Sequence, residues 1–157
     1  MSIDESREKD LYWMTKAYEL ALNAADNGEV PVGAILVDDD NHCIGKGWNQ
    51  PISGHDPTAH AEIIALRDAA LLLQNYRLPE TTLYVTLEPC TMCGGAIIHA
   101  RIKRLVYATA DPRTGSAGSV YNLMNSPHLN HRVSVSTGVL QHQCSSLLKT
   151  FFLEKRN

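Results

Sequence analysis

Long apolar runs are missing from this chain. No stretch of about eighteen consecutive apolar residues occurs, so no segment is suited to crossing a bilayer as a helix. The opening residues, Met1-Ser2-Ile3-Asp4-Glu5-Ser6, are acidic and hold no apolar signal core, so no secretory leader is expected. An excess of either charge is missing too. With 14 Lys and Arg against 17 Asp and Glu, the net charge is −3. That balance neither supports nor excludes a nucleic-acid partner, because local patches govern such binding. Only four cysteines are present, and without an export signal they point to a reducing, cytoplasmic setting. Repeats, low-complexity tracts and linkers are absent, so one domain over residues 1–157 is expected, long enough to bury a substantial core. A 44% hydrophobic and 20% charged composition places it among ordinary soluble globular chains.

Two short stretches carry the chemistry that is present, His60-Ala61-Glu62 and Pro89-Cys90-Thr91-Met92-Cys93. One imidazole and two thiols are the donor types zinc takes in tetrahedral sites, and three protein ligands leave a fourth position open for water. Glu62 then reads as the base working on that water, not as a fourth ligand. A lone C-x-x-C is also a redox pair, and a lone His also a satisfied polar residue. H-x-E followed by P-C-x-x-C, however, is the pattern of the zinc deaminases. Asp56, Pro57 and Thr58 read as a helix start ahead of Ile63, Leu66, Ala70 and Leu73. Pro89 reads as the first turn of a second helix, putting Cys90 and Cys93 on one face. His60 and Glu62 serve one pocket only if it lies beyond the helix end.

Around these motifs the chain predicts alternating elements. A helix is expected over 11–27, a strand over 30–37, a turn at 38–41 and a returning strand over 43–48. Residues 82–87 alternate in β-formers, 103–108 and 133–136 are further strands, and a terminal helix begins at Leu140. Strand, short helix and strand around Cys90 form a βαβ unit with a parallel pair. The fold class expected is α/β, a three-layer α/β/α sandwich on a mixed sheet of about five strands. Cys43 and Cys144 read as small buried apolar residues. The polar loop from Asp111 to Ser119 follows a strand of the site-bearing unit and is a candidate for the pocket mouth.

The stretches Glu29–Ala34, Gly47–Asn49, His55–Glu62, Thr86–Cys93, Asp111–Ser119 and Asn130–Val133 together resemble the bacterial tRNA-specific adenosine deaminase family. The likeness covers nearly the whole chain. It implies a cytidine deaminase-like fold, a homodimer, one zinc ion per chain, and deamination of the wobble adenosine to inosine in the anticodon loop of an arginine tRNA. By position it implies His60, Cys90 and Cys93 as zinc ligands and Glu62 as proton shuttle. It further implies Asn49 as a hydrogen-bonding partner of the flipped base, with the Ala61 backbone and Val30 beside it, and Asp111 as an anticodon-loop contact. Arg101, Lys103, Arg104, Arg113, Lys155 and Arg156 are the candidate phosphate contacts. Zinc ligation alone does not choose between bases. A deaminase of free guanine or cytosine compounds, or a zinc-binding module without activity, are the alternatives, the latter disfavoured by the open fourth position and by Glu62.

Overall fold

The computed structural model describes residues 2–156. Helix α1 runs Ile3–Asp26, starting well before the apolar stripe that begins at Leu11. Its first turns are polar and exposed, so no periodicity announces them. The Ser2 hydroxyl instead caps the end, accepting the Glu5 N–H at 3.2 Å, with Asp4 and Glu5 at the positive terminus. Strand β1, Gly33–Val37, starts later than expected because Val30 and Val32 close a tight turn around Pro31 (N···O 2.8 Å). Strand β2 spans Cys43–Trp48, and the Asn49 N–H continues the pairing onto Val32 O at 3.1 Å.

Next come α2 (Ala61–Leu73), β3 (Thr82–Leu87), α3 (Thr91–His99), β4 (Arg104–Thr109), β5 (Ser134–Thr137) and α4 (Gln141–Arg156). The sheet order is β2-β1-β3-β4-β5, with β1 antiparallel to both neighbours and β3, β4 and β5 parallel. Alternate residues of each strand serve opposite faces. Ala34, Leu36, Leu83, Val85 and Leu105 pack against α2 and α3 through Ala61, Ala65, Ala69, Ile97 and Ile98. Ile35, Val37, Tyr84, Val106 and Ala108 meet Trp13, Met14 and Ala17 of α1 and Cys144 of α4. Helices on both faces of a five-stranded mixed sheet give the expected sandwich.

Close approach fixes where α2 begins. A Cβ on Gly47 would fall 2.6 Å from Ala61 O and 2.8 Å from Ile64 Cβ, so only glycine lets the first turn of α2 lie directly on β2. Asp56, Pro57 and Thr58 are not that first turn. Asp56 Oδ1 accepts both the N–H and the hydroxyl of Thr58 at 2.8 Å, which folds them into a separate turn before the helix. Pro89 likewise lies just outside α3, whose cap position is Cys90. Cys43 also departs from expectation. It is exposed at the start of an edge strand, where alternate side chains meet solvent, whereas Cys144 is buried. Among the described residues no helix is long and apolar enough to cross a membrane.

Candidate active site

The N-termini of α2 and α3 meet beside the C-terminal edge of β3 and β4, the edge where open α/β sheets carry their sites. His60 occupies the cap position of α2 and Cys90 that of α3, both with extended backbone and neither spending its side chain on a cap bond. Cys93 lies in the first turn of α3. The C-x-x-C pair thus straddles the helix entrance instead of sharing an interior face. Cys90 Sγ lies 3.6 Å and Cys93 Sγ 3.5 Å from His60 Nδ1. Zinc–sulfur and zinc–nitrogen bonds of about 2.3 and 2.0–2.1 Å at tetrahedral angles demand an S···N edge of about 3.6 Å. The donors therefore fit zinc in type and in spacing. Only these three groups form the cluster among the described residues, so a fourth position stays open.

The surroundings favour a thiolate. Cys90 is pushed down to about 4, first by the hydrogen bond from the Cys93 thiol and then by His60. The same contact, with burial, pushes Cys93 upward. His60 is raised by its bond to Cys90. The positive ends of two helices act in the same sense as the imidazole.

Glu62, in the first turn of α2, is 4% exposed, and burial pushes its carboxyl up to about 7 despite opposing bonds and the nearby His60. A carboxyl that gains and loses protons near neutrality is matched to acid–base work. A cleft of about 860 Å³ opens in front of it, with Val30, Val32, Asn49, His60 and Cys90 at its floor. Asn49 Oδ1 accepts the Ala61 N–H at 2.8 Å, so Ala61 is fully buried behind the cleft with its donor committed. Residues 109–114 form one wall, and Leu148, Lys149, Phe152, Leu153 and Arg156 of α4 another.

Asp111 is at this wall, but its carboxylate closes its own turn. Oδ1 accepts the N–H groups of Arg113 (2.9 Å) and Thr114 (3.2 Å), and Oδ2 accepts the Thr114 hydroxyl at 2.8 Å. Of the candidate phosphate contacts, Arg113 and Arg156 line the cleft. Arg104 and Lys103 do not. Arg104 makes a bidentate pair with Asp10 (2.8 and 2.7 Å), and Lys103 meets Glu80 at 2.8 Å, both at the opposite end of β4. Arg101 donates to Ile98 O at 2.9 Å at the far end of α3, and Lys155 lies over the Phe151 ring.

Besides Asp10, two buried acids escaped the sequence analysis, because an isolated Glu beside a Val-Pro or a Pro-Cys gives no periodic signal. Glu29 accepts the N–H groups of Ile52 (3.1 Å) and Ser53 (2.7 Å). Burial opposes its charge, yet these bonds prevail and hold it below the usual carboxyl value. Glu88 holds the 111–119 loop in the same manner. On the cleft-facing side of α4, where Arg156 was expected, Leu148, Lys149 and Leu153 were also missed.

Residues 7–109 match the cytidine and deoxycytidylate deaminase zinc-binding region. A tRNA-specific adenosine deaminase of Haemophilus influenzae is 55% identical over 95% of this chain and 86% of its own length. One from Buchnera aphidicola subsp. Schizaphis graminum is 46% identical over 94% and 97%. A solved structure from studies of A-to-I editing by tRNA:A34 deaminases at the wobble position overlays with a TM-score of 0.84. It is 40% identical, over 87% of this chain and 99% of that one. A guanine deaminase from Nitrosomonas europaea overlays at 0.79, with 26% identity over 90% and 83%.

Proposed function

This chain belongs to the cytidine and deoxycytidylate deaminase family, within it to the tRNA-specific adenosine deaminases, and we propose that it converts the wobble adenosine of an arginine tRNA to inosine. It is an enzyme, and its net reaction takes adenosine and water to inosine and ammonia. The observation that carries the chemistry is the cluster of His60, Cys90 and Cys93, open on one side and facing the buried Glu62 carboxyl. The choice of tRNA adenosine rests on the likeness to the Haemophilus influenzae relative across nearly the whole chain. Guanine deaminases share the fold at lower identity, so the zinc site alone leaves the base open.

His60, Cys90 and Cys93 would hold one zinc ion, which when bound supplies a Lewis acid that lowers the pKa of a water toward neutrality. Glu62 takes the proton of the attacking water and passes it to N1 of the adenine ring as oxygen adds at C6. It then delivers a proton to the departing amino group, so that ammonia leaves and the ring carbonyl forms. The Asn49 carbonyl is engaged by Ala61, so its amide N–H groups are what it offers to the base. Val30 and Val32 supply apolar contact to the ring face. An anticodon loop already splays its bases, which lowers the cost of bringing one into the cleft.

The reaction is carried by a single deaminase domain over residues 1–157 acting in the cytoplasm, where thiol ligands stay reduced. A homodimer accords with Leu71, Leu72 and Leu73 at the end of α2 and Tyr76 just beyond it, large apolar side chains left exposed. Sedimentation as a monomer at micromolar concentration with activity intact would count against the dimer. The deciding experiment compares inosine formation in an arginine tRNA bearing a wobble adenosine with turnover of free adenosine, cytidine and guanine. Faster turnover of any free compound overturns the tRNA reading and leaves the zinc chemistry standing.

A further inference from the structure

Resting on the reading of the cleft as the substrate site, we propose that Glu88 is a positioning residue that holds the 111–119 loop in place as the cleft wall. Glu88 follows β3 directly and is 2% exposed. Its Oε1 accepts the Asp111 N–H at 3.0 Å and the Ser119 hydroxyl, and its Oε2 accepts the N–H groups of Ala117 (2.9 Å) and Ser119 (3.1 Å). A carboxylate has about four acceptor sites, and four donors meet them here. Glu88 is therefore occupied by the loop and has no acceptor to spare for a reacting atom.

The donors come from both ends of the loop, so one side chain gathers the segment as a clasp. Gly115, midway along it, rests on the carboxyl, where a Cβ would fall 2.4 Å from Glu88 Cδ. Ser116 ties the loop down a second time. Its N–H and hydroxyl both reach Pro89 O at 2.9 Å, and the hydroxyl also reaches Cys90 O at 2.9 Å. The wall is thereby registered against the turn that presents Cys90. The loop is polar and puts only Ala117 into the apolar core, so its shape depends on a buried acceptor. Without one, three backbone N–H groups lose their partner, which a folded chain avoids by rearranging. Rearrangement would carry Asp111 and Arg113 away from the cleft while leaving His60, Cys90, Cys93 and Glu62 in place.

The test uses the full zinc-loaded chain and an RNA anticodon stem–loop bearing the wobble adenosine. Each Glu88 oxygen accepts a backbone N–H, so Glu88→Gln sets an amide N–H₂ against at least one donor whichever way it turns. Expected are amide exchange at Asp111, Ala117 and Ser119 faster by about tenfold or more, unchanged zinc, and KM raised about tenfold with kcat moved less than about threefold. Gly115→Ala, which leaves Glu88 intact but pushes the loop off it, is expected to give the same KM pattern. Ser119→Ala, removing only the hydroxyl donor, gives a smaller shift of the same kind and serves if Glu88→Gln does not fold. Unchanged exchange with unchanged KM overturns the proposal. So does zinc lost in step with activity, or a loss confined to kcat. If the unaltered chain does not deaminate the stem–loop, the functional reading fails, and the exchange measurement alone decides the role of Glu88.

Discussion

The side-chain carbonyl of Asn49 accepts the first N–H of α2, that of Ala61, at 2.8 Å. One residue beyond β2 thus caps the helix whose start carries His60 and Glu62, and the same residue lines the cleft. The two duties use different atoms and are separable by substitution. Asn49→Asp keeps a capping acceptor but loses the amide donors, so stability is expected to hold while kcat/KM falls about tenfold or more. Asn49→Ala loses both, with about 1 kcal/mol of stability lost as well. Thermal unfolding and steady-state rates on the two variants check the split. An active Asn49→Asp enzyme would remove the donor role.

The His60, Cys90 and Cys93 donors stand at zinc spacing before any ion is considered. Cys90→Ala and Cys93→Ala are each expected to lose the ion and lower the unfolding temperature, since metal binding couples to folding. Elemental analysis of the purified variants is the measurement. A full complement of zinc in either would rule out that cysteine as a ligand.

Glu62 is expected to be dispensable for metal and fold but not for turnover. Glu62→Gln should retain zinc and lose at least about 10²-fold in rate. A pH signature accompanies this in the zinc-free protein. Burial raises the carboxyl from 4.5 to about 7. Between those values the folded state holds the proton and the unfolded chain does not, so folding stability falls as pH rises through that interval. Glu62→Gln lacks this loss. The two zinc-free proteins should be equally stable below about pH 4.5 and diverge in favour of the variant toward pH 7. Parallel denaturant curves across that range would show Glu62 to be ionised at little cost.

Strands were legible: β2, the returning arm of the turn at 38–41, and β3, with its alternating β-formers, lie where the sequence puts them. Helix starts were less so. Asp56 and Thr58 are cap-type residues, but they bond each other and close a turn before α2. The polar opening of α1 has no apolar stripe because its first residues lie exposed. The site shows the same division. His60, Glu62, Cys90 and Cys93 are legible because their chemistry is encoded at short spacing. Glu88 is as buried as Glu62, but its partners return from Asp111 to Ser119 across a whole helix and strand, and no local pattern encodes that. Arg104 was misplaced for a related reason. Its neighbours in sequence are basic, but its place at the beginning of β4 sends it toward Asp10, away from the site.

That placement yields a last prediction about how RNA is gripped. Arg113 and Arg156 line the cleft, whereas Lys103 pairs with Glu80 and Arg104 with Asp10 at the other end of the sheet. Each phosphate contact in a single-stranded segment contributes about 0.7 unit to the slope of log affinity against log salt. Arg113→Ala and Arg156→Ala are each expected to flatten the slope by about that amount when an anticodon stem–loop is titrated with the inactive Glu62→Ala protein. Lys103→Ala is expected to leave it unchanged. Arg104→Ala should also leave the slope alone but lower stability by about 1–3 kcal/mol, because Asp10 loses its bidentate partner in a largely buried position. Fluorescence anisotropy across a salt series separates these outcomes. A slope that flattens as much for Lys103→Ala as for Arg113→Ala would move the RNA path off the cleft wall and onto the opposite end of the sheet.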